Sequence, residues 1–406
     1  MDGGRFYHRR GTFARLRPER LSGAGDVVRA LDLWAYVSAV TLVMVWVLYP
    51  LVMGVLAGLA RRRIRGAGVR LEPAARAVSV VIATRDDPAA VRARVEDCLR
   101  ASDVPAPIEV IVALDRRCAW ESIETYGTTR GTVRFVRGDE PGGKAATLNA
   151  GVRAATGDVI VFADTSQRFH PDAVRVLVEA LRERGMGAAS GNLELPRANR
   201  ATSLAALYWR AERWLRKCEA TVGSAVGVTG AIYAIRKSLW QPLPVGLLLD
   251  DLYAPMQIVL RGYRVGFVDG ALAWELRQPQ PVEEYRRKTR TLTGVIQLCA
   301  WLPALLNPLR NPIWAQFLFH KLLRFLTPYA ALGIGVWCLV TTWPKVTAPL
   351  GPSLSAAAAA LFCLLVLSTD RARRVRHVMG QAVLLQAAVL VATFNGLRGR
   401  WDVWQK

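Results

Sequence analysis

From Leu33 to Ala60 the chain is apolar without a break, and Arg61, Arg62, Arg63 and Arg65 close the run. Such a stretch exceeds the roughly 20 residues that span a bilayer. A helix here either crosses a membrane or lies wholly buried in protein. It is too long and too far from the N-terminus for a secretory leader, and no small-residue cleavage site follows it. The rest of the chain is built differently. Lys and Arg number 54 against 32 Asp and Glu, a formal charge of +22, while 52% of residues are apolar. That composition excludes whole-chain disorder and is too charged for a bare bundle of spans. It describes one substantial water-facing domain joined to several membrane helices. The six cysteines form no CxxC pair, so the spacing gives neither a disulfide framework nor a zinc site.

Three further apolar stretches, Leu326–Trp343, Leu350–Ser368 and Val378–Leu397, predict about three C-terminal transmembrane helices over 326–397. The basic loop Asp370–His377 and the Arg61–Arg65 cluster both assign the central region to the cytoplasmic side. Seven arginines in the first 31 residues argue the other way for a single first span; two independent clusters outweigh them. Residues 295–309 are apolar but broken by Pro303 and Pro308, and basic residues flank them. They read as an amphipathic segment at the membrane interface. The expected organisation is a basic tail (1–31), a transmembrane helix (32–60), a cytoplasmic domain (75–292), an interfacial segment (293–320), the C-terminal spans and a short tail (398–406).

The central domain alternates strands with helices. Ala77–Thr84, Ile108–Leu114 and Asp158–Ala163 are short apolar, β-branched runs, and Thr132–Val136 is another. Helical patterns cover 88–101, 117–126 and 144–155. This order predicts an α/β domain with a mostly parallel, Rossmann-like sheet. Ligands in such sheets bind beyond the carboxyl ends of the strands. There stand Thr84-Arg85-Asp86-Asp87, Asp115-Arg116 and Asp164-Thr165-Ser166. Capping of the following helices is the bland reading of each; Asp115 and Asp164 together favour a site. Gly142-Gly143-Lys144 opens the helix after residue 144 and suggests a phosphate contact, although the P-loop spacing is absent. Val228–Arg236 reads as a further strand. Asp250-Asp251 follow an apolar run, where two carboxylates are expensive to hold without a partner or a function. Arg286–Arg290 is a basic cluster, read either as a headgroup contact or as a clamp on a diphosphate. No nucleic-acid motif accompanies the positive charge.

In their order these motifs resemble the membrane-embedded family 2 glycosyltransferases, among them cellulose, hyaluronan and poly-N-acetylglucosamine synthases. The resemblance runs over about residues 75–300. It implies a GT-A fold and an inverting transfer of sugar from a nucleotide-diphosphate donor, a UDP-sugar in the first instance. Mg²⁺ or Mn²⁺ is the implied cofactor, and the acceptor is a polysaccharide or lipid-linked glycan at the cell membrane. An accessory subunit is left open. By position, the resemblance assigns Thr84, Arg85, Asp87 and Asp115 to the nucleoside side and Lys144 to the donor. Asp164 falls on the metal aspartate of the DxD motif. Thr229, Gly230 and Arg236 match the acceptor-side segment. Asp250-Asp251 match the TED motif, whose last aspartate is the base, and Arg287 and Arg290 fall where Q(x)xRW belongs. Trp404-Gln-Lys loosely matches a C-terminal Trp motif. Two departures stand out. The DxD motif is Asp164-Thr165-Ser166, without its second carboxylate. Of Q(x)xRW only Arg290 survives, with Arg287 and Thr291 in place of the glutamine and the tryptophan; this weakens the expectation of long-chain processive synthesis. The alternatives are a single-addition enzyme acting on a polyprenyl- or lipid-linked acceptor, and a non-catalytic membrane scaffold.

Overall fold

The computed structural model describes residues 22–67, 70–101, 104–120, 125–194, 204–276, 281–347 and 386–401. It begins with a continuous helical rod: α1 (Ser22–Val43), a π turn (Met44–Leu48) and α2 (Tyr49–Ala67). At 1.5 Å per residue the rod is roughly 70 Å long, more than twice the hydrocarbon thickness of a bilayer.

The domain that follows runs β1 (Val78–Thr84), α3 (Pro88–Arg100), β2 (Ile108–Leu114), β3 (Tyr126–Thr128), β4 (Gly131–Arg137), α4 (Lys144–Ala154), β5 (Val159–Ala163), β6 (Gln167–Phe169), α5 (Ala173–Ala180), β7 (Met186–Glu194), α6 (Leu204–Val222), β8 (Ile232–Arg236), α7 (Asp250–Leu260) and β9 (Arg264–Glu275). It is completed by α8 (Pro281–Trp301) and α9 (Trp314–Phe317). A π turn (Leu318–Leu322) and a short 3-10 turn then lead into α10 (Thr327–Thr347). A last apolar helix, α11, covers Gln386–Leu397.

The described strands form one sheet in the order β3-β4-β2-β1-β5-β8-β7-β9-β6. Apolar runs at β1, β2 and β5 are buried from both sides, as a sheet covered by helices on each face requires. Along β1, Val81 belongs to the same buried apolar cluster as Leu148 of α4 and Met256 of α7. Its neighbours Val80 and Ile82 point the other way, into the cluster that holds Val95 of α3 and Leu177 of α5. This two-residue alternation is the side-chain period of a strand.

The sheet corrects one expectation: it is mixed rather than mostly parallel. Pairings β1–β2, β1–β5, β2–β4 and β7–β9 are parallel, and β3–β4, β5–β8, β7–β8 and β6–β9 are antiparallel. The reason lies in β8. It starts at the carboxyl end of β5, Ile232 opposite Ala163, and runs back until Arg236 faces Val159. Its leading turn, Thr229-Gly230, therefore stands at the crevice, while Arg236 lies at the far end of the sheet.

The helix expected over 117–126 does not form in the described residues 117–120 and 125–126. The Asp115 carboxylate accepts from the Arg117 amide at 2.9 Å. The Arg137 guanidinium donates to the carbonyls of Cys118 and Trp120, which a helix would need for its own ladder. Tyr126 is instead part of β3.

Two segments, Asp26–Arg62 and Trp314–Thr342, are long and apolar enough to cross a bilayer. The N-terminal rod and α10 are joined by polar contacts: the Trp337 indole donates to Asp32 of α1 at 2.7 Å and the Trp46 indole of the π turn to Thr327 at 3.1 Å. Tyr49, Met53 and Ala57 of α2 pack on Leu215 and Cys218 of α6. The stretch expected at a membrane interface is divided. Val295, Leu298 and Leu305 belong to the core of the α/β domain, whereas Leu306 and Leu309 face outward. α8 runs unbroken through residue 292, where the sequence suggested a division. The expected span 350–368, the basic loop at 370–377 and Trp404-Gln-Lys lie outside the described residues.

Candidate active site

The strand ends of β1, β2 and β5 and the turn before β8 open onto one crevice. Asp115, at the end of β2, is buried, and its carboxylate is heavily engaged. Besides the Arg117 amide it receives the Gly143 amide at 2.8 Å and the Arg117 Nε at 3.2 Å; Arg85 Nε stands 3.9 Å away. Burial alone would raise the Asp115 pKa, but these donors outweigh it and hold the carboxyl below its usual range. The Gly143 amide reaches Asp115 because Gly142 and Gly143 adopt φ of 86° and 95°, a left-handed conformation that other residues avoid. The same turn launches α4 and sets Lys144 at its first position.

Lys144 is the hub of the crevice. Its Nζ lies 3.3 Å from Asp164 Oδ1 and 3.2 Å from Asp250 Oδ2. Burial favours the neutral amine, but Asp164, Asp250 and Asp251 reverse this and push its pKa upward. Asn149, one turn along α4, exchanges two 2.8 Å hydrogen bonds with the Leu243 backbone. It thereby ties α4 to the loop that delivers Asp250. From the other side, Gln297 of α8 receives the Leu248 amide at 2.9 Å and donates to the Gly246 carbonyl at 3.0 Å.

Asp250 and Asp251 form the first turn of α7, where carboxylates meet the positive end of the helix dipole. Neither caps the helix; the N-cap is Leu249. The Asp251 pKa is raised to about 6, by burial first and by Asp250 second; Lys144, Arg290 and Arg216 act against the rise. The turn before β8 is fitted closely to this acid. The Val228 amide donates to the Asp251 carbonyl at 3.0 Å, and Gly230 packs directly against the Asp251 carboxylate. Thr229 is held by Ser190, whose Oγ accepts from its amide at 2.9 Å.

The remaining residues singled out from the sequence divide. Arg290 acts electrostatically on both Lys144 and Asp251. Arg287 is exposed, and its charge bears on Lys288. Thr84, the last residue of β1, is buried, and its hydroxyl accepts the Asp86 amide at 2.9 Å. Asp87 caps α3 by accepting the Ala90 amide at 2.9 Å. Arg236, matched to the acceptor side by resemblance, is instead 2.8 Å from Glu72 and donates to the Met186 and Leu181 carbonyls, far from the crevice.

Three contributors carry no motif signal. Arg94 of α3 is fully buried, pairs with Asp97 and donates from Nε to the Asp164 carbonyl at 2.8 Å. It fixes the backbone from which Asp164 projects. Tyr233 stacks on Phe162 at 4.5 Å, and its buried hydroxyl has no hydrogen-bond partner. Burial, then Asp250, Asp251 and Asp164, push its pKa well above the phenol range. Arg216 reaches within 3.5 Å of Thr229 Oγ1. A charged residue on the inner face of α3 or α6 was the available clue.

Asp164 is the carboxylate available to a divalent cation, and Asp86 nearby accepts from the Thr165 hydroxyl. Among the described residues no three His, Cys, Asp or Glu side chains gather as a metal site. The half-open Asp164 fits Mg²⁺ or Mn²⁺ only as a shared ligand, the remaining positions being filled by phosphate oxygens and water.

A mixed sheet with carboxylates gathered around a lysine beyond its strand ends is an α/β fold of the GT-A type. Residues 73–294, more than half of the chain, match the family described as glycosyltransferase like family 2; the chain belongs to this family and is a glycosyltransferase. Among solved structures it is similar to the mannosyltransferase PcManGT from Pyrobaculum calidifontis in complex with GDP-Man and Mn²⁺. The identity is 18% and the TM-score 0.58, over 90% of this chain and 99% of that one. A glucosyl-3-phosphoglycerate synthase from Mycobacterium tuberculosis is 18% identical over 55% of this chain and 79% of that one, with a TM-score of 0.35. No curated protein matches.

Proposed function

We propose that the protein transfers a sugar from a nucleotide-diphosphate sugar to an acceptor at a membrane, with Asp251 as the general base. The observation that carries this reading is the pair formed by Asp251 and Lys144. One carboxylate has a pKa raised to about 6, where a base works near neutrality. Beside it an ammonium bridges two further carboxylates, as a partner for a diphosphate would.

In this mechanism Asp115 and Arg85 hold the nucleoside, and Lys144 and Arg290 face the diphosphate. Asp164 would hold a divalent cation, which when bound would offset the charge of the leaving diphosphate. Asp251 takes the proton of an acceptor hydroxyl as its oxygen attacks the anomeric carbon, and the nucleoside diphosphate leaves from the opposite face. Thr229, Gly230 and Asp250 border the acceptor. Thr84 and Asp87 shape the nucleoside turn rather than touch the donor. Both apolar helical segments serve as membrane spans, with residues 75–292 on the cytoplasmic side. The exposed position of Arg287 and the loss of the Q(x)xRW tryptophan favour a single addition to a lipid-linked acceptor over chain polymerisation.

The test uses full-length protein in nanodiscs with a panel of UDP- and GDP-sugars, with Mn²⁺, Mg²⁺ or EDTA. Release of nucleoside diphosphate from one donor, lost in Asp251→Asn, is the expected result. Near-normal release by Asp251→Asn removes the base assignment.

A further inference from the structure

A second cluster of charges lies outside the crevice, where α6 meets the apolar helices. α6 carries Glu212, Arg216 and Glu219 at spacings of four and three, which places them on one face. Glu212 is 6% exposed and Glu219 is fully buried. Opposite stands His320, fully buried in the π turn at Leu318–Leu322. Its Nδ1 is 2.8 Å from Glu219 Oε1 and its Nε2 is 2.8 Å from Glu212 Oε1. Both ring nitrogens are thus engaged by carboxylate oxygens, one from each glutamate. The Tyr49 hydroxyl of α2 donates to Glu219, and Arg324 donates to the other Glu212 oxygen at 2.8 Å.

One end of this array leads to the crevice. Arg216 Nε is 3.5 Å from Glu212 Oε1 and makes no hydrogen bond. Its Nη1 is 3.5 Å from Thr229 Oγ1, one residue from the glycine packed on Asp251. The guanidinium is thus shared between Glu212 and the acceptor side. Packing alone would not select such an array, because burying each ion costs several kcal/mol and apolar residues of similar volume usually do as well or better.

We propose that His320 is a positioning residue for the base: by engaging Glu212 it limits that carboxylate's hold on Arg216 and leaves the guanidinium at Thr229, beside Asp251. The proposal rests on the transferase reading with Asp251 as base. The groups facing Asp251 are Asp250, Lys144, Arg290, Arg216 and Tyr233. Those around His320 are Glu212, Glu219, Tyr49, Arg324, Lys321 and Arg216. Without His320, Glu212 draws Arg216 away and Asp251 loses a neighbouring cation. Without the Glu212 charge, Arg216 is released toward Thr229. The two changes therefore act on Asp251 in opposite directions.

The experiment follows kcat/KM between pH 5 and 8 for full-length protein in nanodiscs, using the nucleotide sugar that supports release. In the wild type the acid limb reports the base. His320→Gln is expected to move that limb up by about half a pH unit or more, and Glu212→Gln to move it down by a similar amount. Nucleoside diphosphate binding by calorimetry stays within about threefold in both, equivalent to less than 1 kcal/mol. Limbs that stay in place, or move in the same direction, overturn the proposal. If His320→Gln fails to fold, the downward shift in Glu212→Gln decides alone. A wild type that releases nothing with any donor rejects the reading of Asp251 as the base of a nucleotide-sugar transfer, and this proposal with it.

Discussion

A Cβ added at Gly230 would stand 3.0 Å from Asp251 Oδ2 and 3.2 Å from Asp251 Cβ. The proposed base is therefore seated against bare backbone. Gly230→Ala is expected to push the carboxylate aside and lower kcat by about 10- to 100-fold, the usual effect of a misplaced catalytic group. Donor binding, assigned above to Asp115, Lys144 and Asp164, should change little. Parallel kinetics and calorimetry check this.

Asp251 links activity to stability. Its pKa in the folded protein, about 6, is above the ordinary 3.8. The folded state thus holds this proton more tightly than the unfolded chain. The associated stability is present below about pH 4 and is lost as pH rises through 6. Asp251→Asn, besides abolishing the proposed transfer, should therefore stabilise the protein at pH 7.5, on the order of 3 kcal/mol, and add little at pH 4. Thermal unfolding at the two pH values reads the difference.

Lys144→Met removes the ammonium that separates Asp164 from Asp250. Donor affinity should fall by about 10- to 100-fold, the loss of one charge-assisted contact. Asp251 also loses a cation that holds its pKa down, so the acid limb of turnover should rise. A fall in affinity with an unmoved limb would separate Lys144 from the base.

Arg94→Met leaves Asp97 buried without its partner and frees the Asp164 carbonyl. Breaking a buried pair in this way costs about 3–5 kcal/mol. The double variant Arg94→Met with Asp97→Leu should recover much of the stability but not donor binding. Chemical denaturation and calorimetry together test both halves.

Much of this was legible before any coordinates. The β-branched runs at β1, β2 and β5 declared themselves, because a strand buried on both faces leaves a continuous apolar signature. With the strand ends located, Asp115 and Asp164 followed, and the glycines before Lys144 marked the turn. β7 and β9 were not readable. Met186–Glu194 is rich in Gly, Ala and Ser, and Arg264–Glu275 carries Asp269 amid its apolar residues; neither repeats the β-branched pattern. The direction of β8 was hidden as well, since an apolar strand reads the same whichever way its neighbour runs, and Arg236 was misassigned with it. Arg94, Arg216 and Tyr233 act through contacts 70, 13 and 71 residues away in sequence (to Asp164, Thr229 and Phe162). No local spacing encodes such partners.

The charged face of α6 also bears on how the molecule can be divided. The region that matches the family ends at residue 294, which invites cutting it free as a soluble catalytic fragment. Yet Glu212 and Glu219 find their partners in Tyr49 before that region and in His320 and Arg324 after it. A fragment bounded by the family match would uncover two carboxylates and the apolar strip at Leu215 and Cys218. The family-matched region and its flanking helices share this buried charge cluster, and assays on the excised middle would describe a different molecule.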